Sequence, residues 1–574
     1  MAEPARSSRD LARTRGDAAL AAAHEGKLNF AALALIFGVM LAVLLELIDT
    51  SIVNVALPDM MSNLGCTVDE ASWIVTSYII ANVTIIPMTS WLASRFGRRR
   101  YLTFSILLFT TASFLCGFST SLWELVLFRI LQGIGGGALL SSGQALMVEI
   151  FPPNRQGTGQ AIFGVGATLG PSLGPTLGGW ITDNFSWPWI FYVNIPLGLL
   201  AAFLIYNYLP TYHHARKAAR VDWLGISLLI VGIGTLQYTI ERGNHLDWFA
   251  DPLIRVTAAV AVLSVVGFIW HELHTPHPVV DLRVLRNKPL LLGCVYGAAF
   301  GVALYGSIFL FPIFTQGVLG WTSWKSGINV LPSTITTALI MPFAGRYVMR
   351  VGPFPLISAG MFVFLPALYG MSSWDVNSSG WDLLWPQIGR GVGLGLLFAP
   401  LSLAAMRYLP PKDVLQGSAL YNLFRQTGGS IGIAILATLL DHRADVHIAH
   451  LAENVSLLNP VTWQRVQMLR AGLEARGLDP AAAQGGAYKL ITGLIEREAT
   501  VLAFRDSYYF VILVVGALIP FLWLFRGRAF DLKNLGGGSA QAAPAQAASS
   551  RAGDRRAGPG GPWIRRSKSW ALPA

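Results

Sequence analysis

Charge is what this chain lacks most. Asp, Glu, Lys and Arg make up 13% of its 574 residues, about half of the quarter that soluble domains carry, so a water-soluble globular protein is excluded. Cysteine is scarce too. Cys66, Cys116 and Cys294 show no metal or redox spacing and exclude a disulfide scaffold or a thiolate metal centre. Walker loop, metal-spaced His/Cys/Asp/Glu cluster and nucleophile elbow are all missing, which argues against an enzyme and against a bound metal or cofactor. The formal charge is +11, but the basic residues sit in short connections between apolar runs, so nucleic acid is no expected partner. Nor is a cleavable leader expected. Residues 1–27 are too long and too acidic for a signal-peptide n-region, and the apolar run behind them has no small-residue cleavage pattern.

What fills the chain is apolar. Hydrophobic residues are 53%, the mean hydropathy is +0.51, and runs of roughly 20 residues, enough to cross a ~30 Å hydrocarbon core, recur almost throughout. Windows of about 19 residues give about fourteen spans, the pattern of an all-α protein in the lipid bilayer. Lys and Arg mark one side of it. Arg95, Arg98, Arg99, Arg100, Arg155, Arg216, Lys217, Arg220, Arg283, Arg286, Lys288, Arg346, Arg350, Arg407 and Lys412 share that side, with little beyond Arg242, Arg255 and Lys325 on the other. Basic loops stay in the cytoplasm, and an even number of spans then places both termini there.

The chain also repeats itself. Ser90, Arg95 and Gly97 have counterparts in Gly345, Arg350 and Gly352; Arg129, Gly133 and Gly135 have theirs in Arg390, Gly393 and Gly395; and Phe151-Pro-Pro153 is echoed by Leu409-Pro-Pro411, all at offsets of about 258 residues. Duplicated halves with a site between them are a recurrent transporter design. The expected division is a cytoplasmic segment 1–30, a six-helix half 31–209, two inserted helices with cytoplasmic loops over 210–288, and a second six-helix half 289–530. That second half contains an outer loop 441–505 of mixed charge. The tail 531–574, rich in Gly, Ala, Pro, Ser and Arg, is expected to be disordered.

Ionisable residues inside the spans point to function. Glu46 and Asp49 stand at i,i+3, on one face of the first helix. A carboxylate in hydrocarbon costs several kcal/mol unless it faces a partner or a watery cavity, and desolvation favours the neutral form of a carboxyl, which suits a group that takes up and releases protons. Asp49 is the expected coupling carboxylate, with Glu46 facing substrate. Arg129 in the fourth span keeps its charge at any working pH and needs an acceptor; it would modulate proton affinity from beside them. Asn54, Arg390, Asn422, Arg425 and Gln426 are candidates to line a cavity. In the fifth span Gly166, Gly170, Gly174 and Gly178 recur every four residues, with Pro171, Pro175 and Gly179 interleaved. They clear one face for close helix approach and bend the helix, as two rocking halves require. Arg95, Gly97, Arg98 and Arg99 form a tight basic turn that can hold helix ends or anionic headgroups.

Together these residues resemble the fourteen-helix drug:proton antiporters of the major facilitator superfamily, the EmrB/QacA group, over roughly residues 31–530. The first-helix run IDTSIVNVALP at 48–58, the fourth-helix run around Arg129, and GPSLGPTLGG at 170–179 carry the resemblance. WIFYVNIPLG at 189–198 and RGNHLDW at 242–248 look like the EmrB branch. The resemblance implies a major facilitator fold in the bacterial inner membrane and proton-coupled efflux of hydrophobic, often cationic drugs by alternating access. It also implies a proton-transfer role for Arg129, an antiporter motif at 170–179, and work with a periplasmic adaptor and an outer-membrane channel. Ser90 and Ser94 stand where the family's loop motif has Gly and Asp, so a charge relay through that Asp is absent or relocated. Two other readings stay open: a dedicated exporter of one metabolite, siderophore or antibiotic, and a non-transporting receptor or scaffold. A scaffold would tolerate apolar residues at Glu46, Asp49 and Arg129.

Overall fold

In lipid, a spanning backbone must satisfy its own hydrogen bonds, which leaves the helix or the closed barrel. Among the described residues of this computed structural model there are helices and no strand. It describes residues 30–210, 221–453, 455–456 and 458–526. The N-terminal segment up to residue 29, the connection with Arg216, Lys217 and Arg220, and the tail expected at 531–574 lie outside the described residues.

The first half comprises α1 (Phe30–Leu64), α2 (Val68–Phe96), α3 (Arg98–Phe118), α4 (Leu122–Gly136) continued after a short break by α5 (Leu139–Ile150), α6 (Gln156–Asn184), the short α7 (Trp189–Tyr192) and α8 (Asn194–Tyr208). Two inserted helices follow, α9 (Trp223–Gly243) and α10 (Pro252–His274). The second half holds α11 (Lys288–Ile313), α12 (Ser323–Val351), α13 (Pro353–Ser372), α14 (Gly380–Met406), α15 (Val414–Glu453), α16 (Pro460–Glu474) and α17 (Pro480–Gly516). Among the described residues thirteen helical stretches are long and apolar enough to cross a membrane. Helix α6 makes a fourteenth; its glycines lower its hydropathy, but at 29 residues it is long enough to cross.

Each half packs within itself, α1 on α6 and α8 in the first, α11 on α15 and α14 on α12 and α13 in the second. The halves meet where α6 touches α12 and α14, and where α2 and α5 touch α15. The closest crossing is at the basic end, where Gly157 and Gly345 set backbone against backbone. The loop repeat is visible in the backbone: Gly97 and Gly352 occupy equivalent turns with φ of +84° and +85°, a region where a Cβ is costly.

The inserted pair is tied to both halves at the opposite end. The Arg242 guanidinium donates to Ser72 Oγ at 2.5 Å on α2, and Tyr238 stacks on Trp73 of the same helix. On α15, Ser430 accepts from Gln237, Thr438 from the Trp248 indole N–H and Asp441 from Asn244. The α9–α10 turn holds Asp247 and Trp248 at positive φ to make this reach. The far face of α10 leaves Val262, Leu263 and Trp270 exposed, as expected of a helix against lipid.

The outer loop expected at 441–505 is largely helical. Helix α15 continues to Glu453, α16 follows, and α17 begins at Pro480. Asn459 and Asp479 cap the new helices and a proline follows each at the first helical position, a strong start signal. Asp506 of α17 ties that helix to α15, accepting from Arg443 at 2.6 Å and facing His447 at 2.9 Å.

Candidate functional site

Five helices of the first half converge on Asp49. Its Oδ2 accepts from the Arg129 guanidinium at 2.6 Å, and its Oδ1 accepts from Gln132 at 2.8 Å and Asn194 at 3.2 Å. Asp49 and Arg129 are both fully buried. Arg129 also donates to the carbonyl of Ile74 and to Gln132, and lies 4.1 Å over the Tyr78 ring. Ser113 ties the far side, accepting from Gln132 and Asn194 and donating to the carbonyl of Phe191. Both carboxylate oxygens and two of the three guanidinium nitrogens of the pair are hydrogen-bonded, while Arg129 NH2 rests without a protein partner; hydrogen bonds of this kind are what let a buried ion pair persist.

Glu46 sits one turn away, 1% exposed, and is held more lightly. Its Oε1 accepts from Asn82 at 3.1 Å, while Oε2 has no protein hydrogen-bond partner. The opposite charge that reaches it from the other half is Arg425. Arg425 is fully buried, rests 5.5 Å over the Phe398 ring, and none of its three guanidinium nitrogens has a protein hydrogen-bond partner. Beside it Asn422 donates across the halves to Gln144 at 2.5 Å, Ser418 donates to the carbonyl of Ser141, and Gln144 donates to Gln160 on α6. The hydrogen bonds of Ser418 and Asn422 cross between the halves two turns and one turn before Arg425 on the same helix.

The remaining residues separate. Arg390 is buried deep in the second half. Gln426 is half-buried and Asn54 is exposed; neither takes part in the described hydrogen bonds. In the basic turn, Arg98 pairs with Glu149 at the end of α5 and Arg99 lies over Tyr206. With Ser94 in place of an acid, Glu149 supplies the carboxylate that the turn uses. Arg95 stays exposed over Trp91.

The glycine face of α6 does not meet the other half. A Cβ on Gly170 would strike Leu47, one on Gly174 the Ser51 hydroxyl, and one on Gly178 would lie 2.8 Å from Ile52. All three neighbours are on α1, so these glycines seat the helix that carries Glu46 and Asp49. Gly179 stands apart, with only Val55 at 3.7 Å, and Pro175 continues the helix without an N–H to give. Gly174→Ala is expected to cost about 1–3 kcal/mol by overpacking and to displace α1, so efflux falls while the protein still inserts. Gly179→Ala is expected to be neutral. Efflux measured at matched expression checks both, and equal efflux from the two variants would refute the seating role.

Gln132, Asn194, Asn82, Ser113 and Gln144 were not singled out from sequence. The signal available was a polar side chain inside an apolar span; Gln132 and Asn194 even lie in the quoted motifs.

Fold and site together define a membrane transporter of the major facilitator type. The sequence matches the Major Facilitator Superfamily over residues 39–433, and the chain belongs to that superfamily. Within it the chain belongs to the EmrB branch. It is 30% identical over 500 residues to the multidrug export protein EmrB of Escherichia coli K12, spanning 87% of this chain and 96% of that one. It is 30% identical over 487 residues to the fatty acid resistance protein FarB of Neisseria gonorrhoeae, spanning 85% and 94%. The human organic anion transporter MFSD10 shares the fold, with a TM-score of 0.53 at 15% identity over 84% of this chain and 99% of that one.

Proposed function

We propose that this chain is a proton-coupled multidrug exporter of the inner membrane, working by alternating access. The observation that carries the reading is the buried Glu46, hydrogen-bonded through one carboxylate oxygen only, in a chain similar along nearly its whole length to a multidrug export protein. Antiport requires proton and substrate to exclude one another at one site. Glu46 has an oxygen free to take a proton without displacing any donor, whereas Asp49 would have to give up Arg129. Glu46 is therefore the better proton carrier and Asp49–Arg129 the fixed pair behind it, which moves the proton from Asp49, where the sequence reading put it, to Glu46 and leaves Glu46 facing substrate. The basic helix ends face the cytoplasm, with both termini there.

Hydrophobic, often cationic compounds are the proposed substrates, drawn to the Glu46 carboxylate once it has lost its proton. A second reading, a dedicated exporter of an amphipathic acid, draws support from the unpaired Arg425 and from the similarity to a fatty acid resistance protein. A periplasmic adaptor leading to an outer-membrane channel would bind the outer ends of α15 and α17, which at 40 and 37 residues extend well past the length that a span needs, together with the short α16 between them.

The test is transport by purified protein in liposomes. An imposed pH gradient is expected to drive a lipophilic dye cation against its concentration, with collapse when nigericin dissipates the gradient. Uptake of a fatty acid but of no cation would establish the second reading. Binding without movement in either case would leave a receptor or scaffold.

A further inference from the structure

The internal repeat sets up a comparison that the transport site does not use. At the repeat offset of about 258 residues, Arg129 corresponds to Arg390, Tyr78 to Ser333 and Asp49 to Ser307. In the first half the buried guanidinium meets a carboxylate of its own chain. In the second half the same place holds a hydroxyl.

Arg390 on α14 is 2% exposed. Its Nε donates to Ser333 Oγ at 3.1 Å and its NH1 to Ser307 Oγ at 3.0 Å. Among the described residues no Asp or Glu pairs with it, and the ionisable side chain that it senses is the Tyr508 phenol. The same half holds buried polar groups without a protein partner: both amide atoms of Gln387, one turn earlier on α14, the Tyr508 hydroxyl, and the Trp374 indole N–H, whose ring packs on Phe311 one turn beyond Ser307. The Trp374 and Tyr508 rings meet edge to face at 6.0 Å, and Phe311 and Phe314 close over Trp374 at 5.8 and 5.6 Å.

A guanidinium does not shed its charge in a protein, and an unmatched buried charge is among the costliest arrangements in a membrane. Ser307 cannot supply a negative charge, and its own hydrogen is directed to the carbonyl of Leu304. The phenol, the indole and the Gln387 amide all offer N–H or O–H hydrogens, and among the described residues no acid is paired with Arg390 to repel an anion. We propose that Arg390, with Tyr508, Gln387 and Trp374, forms a binding site for a small inorganic anion of the halide class, which replaces in the second half the carboxylate that Asp49 provides in the first. The aromatic closure limits the occupant to a small, dehydrated monovalent ion, with chloride as the probe. The site does not depend on which substrate is exported.

Equilibrium dialysis of the full-length protein in detergent against radioactive chloride is expected to give one saturable site, displaced by bromide and unaffected by gluconate. At fixed ionic strength the melting temperature should rise with chloride and stay flat in gluconate, as for a ligand of the native state. Ser307→Asp brings the negative charge into the chain. It should weaken chloride binding by about tenfold or more, equivalent to ~1.4 kcal/mol, and make the melting temperature independent of chloride. Ser307→Asn, of the same shape but neutral, should keep the chloride dependence. No saturable binding to the wild-type protein would overturn the proposal even if Ser307→Asp failed to fold. Equal chloride binding by Ser307→Asp and wild type would overturn it as well, leaving Arg390 held by hydroxyls and water alone.

Discussion

Replacing Glu46 by Gln is expected to abolish proton release on substrate addition and to bring proton-driven efflux to background, while the protein inserts and melts as wild type does. Gln keeps the oxygen to which Asn82 donates at 3.1 Å and fills the same space; what disappears is the oxygen that a proton can occupy. Asp49→Asn should behave differently. It leaves Arg129 fully buried with its charge unmatched, and removing one partner of a buried pair costs roughly 3–5 kcal/mol. The melting temperature should fall along with efflux, and adding Arg129→Gln should restore stability but not transport. Thermal melts of the purified variants and pH-dye traces on substrate addition separate these outcomes. Proton release that survives in Glu46→Gln and is lost from a stable Asp49→Asn would return the proton to Asp49.

A bulky residue at the crossing of the halves should be as damaging to transport and far gentler on folding. At the basic end Gly157 of α6 and Gly345 of α12 leave no room for a Cβ, since each would strike the other's backbone carbonyl, and Gly345 would also meet Ala161 at 2.6 Å. Under the proposed alternating access these contacts break when that end opens, so Gly345→Val is expected to penalise one conformation and not the fold of either half. Overpacking of about 1–3 kcal/mol, applied to one side of a two-state equilibrium, shifts it by roughly 5–150-fold. Efflux is expected to drop accordingly at normal expression, and cysteine pairs placed across the crossing should cross-link more slowly. Wild-type efflux from Gly345→Val would mean that this end never needs to close so tightly.

The membrane class, the number of spans, the duplication and the positions of Glu46, Asp49 and Arg129 were all legible in the sequence. Each of these is a local property. Hydropathy sums over consecutive residues, a repeat is a match of strings, and an ionisable side chain in an apolar run is conspicuous by itself. Helix ends were less legible, because a hydropathy window senses bilayer thickness and not where hydrogen bonding stops: α1 continues to Leu64 and α15 to Glu453, both past their apolar runs. What lies opposite a residue was decided by tertiary structure alone. Periodicity showed that the α6 glycines share a face, but not that α1 lies against it. It showed Arg129 in a span, but not that Asp49, 80 residues away, would take its charge with Gln132 and Asn194. It paired Arg390 with Arg129 by repeat, but only packing showed a buried guanidinium held by the hydroxyls of Ser307 and Ser333, with no carboxylate paired to it among the described residues. Sequence spacing determines direction along one helix, whereas a buried charge is governed by whichever neighbour reaches it across a few ångströms, and that neighbour comes from another part of the chain.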